Sequence, residues 1–107
     1  MPGDDMPLPP TSQRLLDPDA VPYFLWDLGI TVAEARRILA REASPTRDDL
    51  IARILREANS RDVWTLLDWP AIEEAWPRIV HRLGRARGVW TMMLERRREH
   101  VRTTAAA

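Results

Sequence analysis

Punctuation constrains this chain more than any other feature. Apolar residues recur three or four positions apart, and helix-start and helix-stop signals cut that pattern into short lengths. Thr31 and Glu34 form a T-x-x-E capping box, in which each side chain satisfies an orphan backbone N–H of the other's turn. The helix it opens is expected to end near Ala43, with Val32, Ala35, Ile38 and Leu39 on one face. Ser44 and Pro45 restart the chain, and Leu50, Ile51, Ile54, Leu55 and Ala58 then trace a buried helical stripe. Asn59 and Ser60 break it, and Ser60 is expected to cap a shorter helix carrying Val63, Trp64, Leu66 and Leu67. Asp68 before "WP" caps the next segment, 70–83, whose apolar side is Ile72, Trp76, Ile79, Val80 and Leu83 and which Pro77 kinks or splits. Gly84 is a stop, and residues 85–102 read as a last helix with Val89, Trp90, Met93, Leu94 and Val101 inward. No run alternates as a strand does. The expected fold is all-α, a compact bundle of about five short helices whose short loops make successive helices neighbours.

Six of the nine prolines fall in residues 1–22, so residues 1–21 read as an extended, flexible Pro- and Asp-rich arm, 22–102 as a single helical domain and 103–107 as a disordered tail. Directly after the arm stands "PYFLWD", a greasy cluster in a chain that is 30% charged. Leaving it in water is unfavourable, since each large side chain buried contributes on the order of 1.5 to 3 kcal/mol. Tyr23, Phe24, Leu25 and Trp26 are therefore expected to anchor this strip in a groove between the helices, docking to a partner being the other use for such a cluster. The expected core is Ile38, Leu39, Ile54, Leu55, Trp64, Trp76 and Trp90, with Trp69 divided between core and the wall of a groove.

The net charge of zero hides an asymmetry. Residues 1–27 carry five carboxylates against Arg14, whereas residues 78–107 carry eight arginines against Glu95 and Glu99. All sixteen basic residues are Arg. Arginine offers bidentate capture of carboxylate or phosphate, which makes Arg85, Arg87, Arg96, Arg97, Arg98 and Arg102, with Arg78 and Arg82 upstream, the candidate partner-binding residues. The chain has no Cys, which excludes disulfides, Cys-based zinc sites and thiol nucleophiles. His81 and His100 lack the spacing of a metal pair, and the acid pairs Asp48–Asp49 and Glu73–Glu74 sit at helix starts where they favour the macrodipole. No phosphate loop or nucleophile elbow is present. Neither catalytic residues, metal nor cofactor are expected, and with no signal-peptide pattern and no run of roughly 18 apolar residues the expected location is the cytoplasm. Nothing in the pattern specifies an oligomeric state.

"PYFLWDLGITVAEARRIL", "ILREANSRDVWTLL" and "WPRIVHRLGRARGVWTMML" together resemble a family of small helical bacterial proteins encoded beside AbiEii-type nucleotidyltransferases. The resemblance covers about residues 22–98 and rests on packing and capping motifs; the N-terminal arm has no counterpart in it. It implies a non-catalytic, antitoxin-like partner that controls a neighbouring nucleotidyltransferase toxin. The alternative reading of the residues is a small nucleic-acid-binding regulator that sets the Arg-rich C-terminal helix on phosphates.

Overall fold

The computed structural model describes residues 10–106, among which there are five α-helices and no strand. They are α1 (Val32–Leu39), α2 (Pro45–Glu57), α3 (Ser60–Val63), α4 (Trp69–Ile79) and α5 (Arg87–Ala106). Short 3₁₀ turns over Gln13–Leu16, Tyr23–Leu25, Val80–Arg82 and Gly84–Ala86 join and precede them. The all-α bundle expected from the apolar spacing is the fold of the chain.

Helices α1 to α4 start where polar side chains meet orphan donors. Thr31 Oγ1 accepts from Glu34 N at 3.1 Å and the Glu34 carboxylate reaches back, completing the capping box. The first two N–H groups of α1 are met from outside the helix: Val32 N donates to Ala20 O at 2.9 Å and Ala33 N to Pro18 O at 3.0 Å. Ser44, Asn59 and Asp68 cap α2, α3 and α4, so the cap of α3 is one residue earlier than Ser60. That helix is a single turn, because Trp64, Thr65 and Leu66 leave it as turns. Helix α4 runs through Pro77 to Ile79 and then tightens into a 3₁₀ turn, the expected break coming two residues after the proline. Gly84 at φ +54° reverses the chain into α5.

Helix α2 is the hub. Its residues Leu50, Ile51, Ala52, Ile54 and Leu55 are buried with Ala35 of α1, Val63 of α3, Leu67 of the loop after it, Ile72, Ala75 and Ile79 of α4, and with Leu83 and Trp90. Aromatic side chains close its C-terminal end. The Trp90 indole N–H donates to Leu55 O at 2.9 Å, and the Tyr23 hydroxyl accepts from Asn59 N at 2.7 Å.

The domain begins earlier than residue 22. Leu15 is buried in the same core as Phe24 and Leu25, and Ser12 caps the turn that carries it, so residues 10–21 form a strap across the bundle. The remainder of the expected arm, with Asp4 and Asp5, lies outside the described residues. At the other end α5 continues to Ala106, past the tail expected from 103; Ala107 lies outside the described residues. Of the expected core, Ile54, Leu55 and Trp90 are buried, while Ile38, Leu39, Trp64 and Trp76 are half-buried on its margin. Val89 and Val101, expected to point inward from α5, are exposed; among residues 87–105 of that helix, Trp90 and Leu94 are the buried ones.

Candidate functional site

The strap and the aromatic strip meet at one carboxylate. Asp62 is fully buried and accepts three hydrogen bonds, from Thr11 N at 2.7 Å, Thr11 Oγ1 at 2.6 Å and the Tyr23 hydroxyl at 2.6 Å. Burial alone would raise its pKa, but these donors outweigh it and hold Asp62 below the usual carboxylate range. The Tyr23 phenol moves the other way, raised by burial and by its bond to Asp62. From α2, Arg53 Nε donates to Phe24 O at 3.1 Å and its guanidinium pairs with Asp27. The turn at 23–28 is thus pinned from two sides.

That pinning divides the four expected anchors. Phe24 and Leu25 are buried, and Tyr23 is 45% exposed with its hydroxyl engaged. Trp26 is not an anchor of the fold, because at 75% exposure it stands in solvent. The one-turn geometry explains the split, since consecutive residues of a 3₁₀ turn point in different directions and Phe24 and Leu25 take the core side. Leu28, two residues on, is 53% exposed. It lines a groove of about 400 Å³ with Ile30, Ile38 and Leu50 as apolar lining and Arg53, Arg56 and Arg82 among its polar residues. Each of those arginines is already engaged: Arg53 by Asp27, Arg82 by Asp49, and Arg56 by Glu57 and by Arg82 O. What the groove leaves without a partner is its apolar lining.

The arginines fall into two populations. Arg78 donates to Asp48 at 2.7 and 3.2 Å and to Glu74 at 2.8 Å, and Arg47 reaches the same Glu74 at 3.1 Å. Asp48, in the first turn of α2 as expected, pairs with Arg78 of α4, and Asp49 beside it with Arg82 of the following turn; Glu74, expected at a helix start, lies beyond the first turn of α4 and pairs with Arg47 of α2. Arg78 and Arg82 therefore belong to the bundle's seams, and their place in the basic end is corrected accordingly. The Asp48 and Glu74 carboxylates raise the Arg78 pKa above its ordinary value. The other candidates stay outward. Arg85, Arg87, Arg96, Arg98 and Arg102 are exposed and make no ion pair among the described residues.

They do not share one face. At 3.6 residues per turn Arg96 and Arg98 project about 160° apart around α5. Arg96 and Arg97 instead line a shallow groove of about 430 Å³ with Trp69, Met93 and His100. Trp69 is half-buried, its ring 5.2 Å from Trp64 and 6.2 Å from Trp90. No spacing rule in the sequence connects residue 69 to residues 93–100; that juxtaposition comes from the packing of α4 beside α5.

Among the described residues no group of three His, Asp or Glu side chains gathers to hold a metal ion, and no helix is long and apolar enough to cross a membrane. Compared with known proteins, the chain matches no family model, no curated protein and no solved structure.

Proposed function

We propose that this chain is a non-catalytic protein-binding module that docks through Trp26 and the adjoining apolar groove, and that it acts as the antitoxin-like partner of a nucleotidyltransferase toxin. The observation that carries the docking is the position of Trp26. The turn beneath it is fixed by buried Phe24 and Leu25, by the Asp62–Tyr23 bond and by Arg53, yet the indole itself is 75% exposed. An aromatic carried on a fixed turn has only its two side-chain torsions to lose on binding, which suits an interface hot spot. The polar rim supports an apolar contact, because its arginines are already paired. The nucleotidyltransferase as partner rests on the sequence resemblance alone.

Co-expression with the nucleotidyltransferase encoded beside it, followed by size-exclusion chromatography and a nucleotide-transfer assay, tests both parts. Co-elution and loss of transfer activity are expected, and Trp26→Ala should weaken the complex by about 2 kcal/mol, roughly 30-fold, without lowering the melting temperature. Full transfer activity with equimolar protein present and no co-elution overturns the partner. A complex indifferent to Trp26→Ala overturns the docking surface.

A further inference from the structure

We infer that the groove between the start of α4 and the second half of α5 binds a nucleotide unit, with an unpaired base against Trp69 and its phosphate on Arg96 and Arg97. This inference is independent of docking at Trp26, which uses other residues. Trp69 supplies a fixed aromatic wall, because its indole is wedged against Trp64 and Trp90. Met93 adds a polarisable thioether to the same groove. Arg96, Arg97 and His100 lie within about one turn of α5 and bring their donors to one side of it.

The charge of Arg96 is left to solvent. Arg47, Arg53, Arg78 and Arg82 all find carboxylates inside the bundle, whereas Arg96 has none among the described residues. The nearest acid to Arg97 is Glu73, with an oxygen 4.0 Å from Nε, and Nε itself has no hydrogen-bond partner. With its Nε buried beside Glu73, Arg97 can meet an anion only through its terminal N–H groups, whereas exposed Arg96 keeps its whole fork for one. The volume of about 430 Å³ lies in the range of small-ligand sites. An acidic peptide would use the guanidinium groups but leave the indole without a planar partner. A duplex would need a row of phosphates, and Arg98 and Arg102 project away from the groove instead. A base with its phosphate uses both halves, as single-strand stacking platforms do.

Fluorescence anisotropy of a labelled oligouridylate with the full chain, at low and then rising salt, reads this directly. Arg96→Gln should weaken binding by about 5- to 10-fold and lower the salt slope by about one, because one phosphate contact is gone. Trp69→Leu should weaken it by about 10-fold or more, and Trp69→Phe, which keeps a ring and guards against a folding defect, should restore most of it. Arg98→Gln and Arg102→Gln remove the same charge outside the groove and should cost about 2-fold or less. AMP added as competitor distinguishes the two sources of the unit: displacement at equal nucleotide concentration marks a free nucleotide, its failure a strand. Equal losses for Arg96→Gln, Arg98→Gln and Arg102→Gln would mean undirected attraction and overturn the site. So would displacement of the oligonucleotide by polyglutamate at matching charge, or no binding at low salt.

Discussion

The two ends of the chain are opposites in how they are held. The strap and strip, residues 10–30, carry Asp17, Asp19 and Asp27 and are tied down by named contacts to α1, α2 and α3. From Arg96 to Ala105 α5 carries Arg96, Arg98 and Arg102 and, apart from half-buried Arg97, lies in solvent. A segment rich in proline thus behaves as part of the core, and a regular helix behaves as a surface. Regularity of backbone is a poor guide to which part of a small domain its stability depends on; burial and satisfied donors decide.

The strongest way to break the contrast is in the strip. Leu25 is fully buried and Leu15 and Phe24 nearly so, and a domain of this size has few core residues to spare. Leu25→Ala should cost about 2 to 5 kcal/mol, a large share of a stability that for such domains is on the order of 5 to 15 kcal/mol. A chain beginning at Thr31 should fail to fold, because it loses Leu15, Phe24 and Leu25 together with the acceptors for the first N–H groups of α1. Urea unfolding of both variants checks this, and a Leu25→Ala midpoint equal to wild type would reduce the strip to decoration.

The clamp sharpens the comparison. Asp62→Asn keeps the shape but removes the charge that Thr11 and Tyr23 donate to, and should cost about 1 to 3 kcal/mol at neutral pH. Because folding lowers the Asp62 pKa, its stabilisation is present above the unfolded value of about 3.9 and is lost as pH falls through the lower folded value. Tyr23, whose pKa folding raises, contributes below about 10 and loses that contribution as pH rises through its folded value. The gap between wild-type and Asp62→Asn melting temperatures should therefore be open at pH 6 and close on acidification below about 4. A gap constant across that range would show that the charge of Asp62 contributes nothing.

The fold class was legible because periodicity and caps are local: Thr31, Ser44 and Asp68 each announce a helix within three residues of themselves. The strip's burial was legible in Phe24 and Leu25, whose chemistry has no good solvated use. What could not be read is what depends on partners distant in sequence. Leu15 looks like part of a proline-rich arm until Asp62, 51 residues beyond Thr11, supplies the acceptors that fasten it. Trp26 has the composition of its neighbours but not their side of the turn. The Trp69 groove exists only because α4 and α5 are adjacent, and a count of arginines cannot tell Arg78, bound by Asp48, from Arg98, which has no ion pair among the described residues.

The smallest expected effect separates those two arginines. Arg78 closes a bidentate pair with Asp48, whose side chain is only 10% exposed, and shares Glu74 with Arg47. Arg78→Ala would leave the Asp48 carboxylate without that partner in a poorly solvated position, so the melting temperature should fall. Arg98→Ala and Arg102→Ala remove nothing but solvated side chains from α5 and exchange them for the best helix former, so each should lie within about 0.5 kcal/mol of wild type. Neither lies in the last turn of α5, so the macrodipole contributes little at either, and what is left is the effect of an exposed charge, which salt screens. Any loss for these two should therefore vanish at high ionic strength. Melting curves of the three variants at low and high salt decide the matter: a salt-resistant loss for Arg98→Ala as large as that for Arg78→Ala would mean that the end of α5 is built into the domain, and the contrast between the two ends would fall.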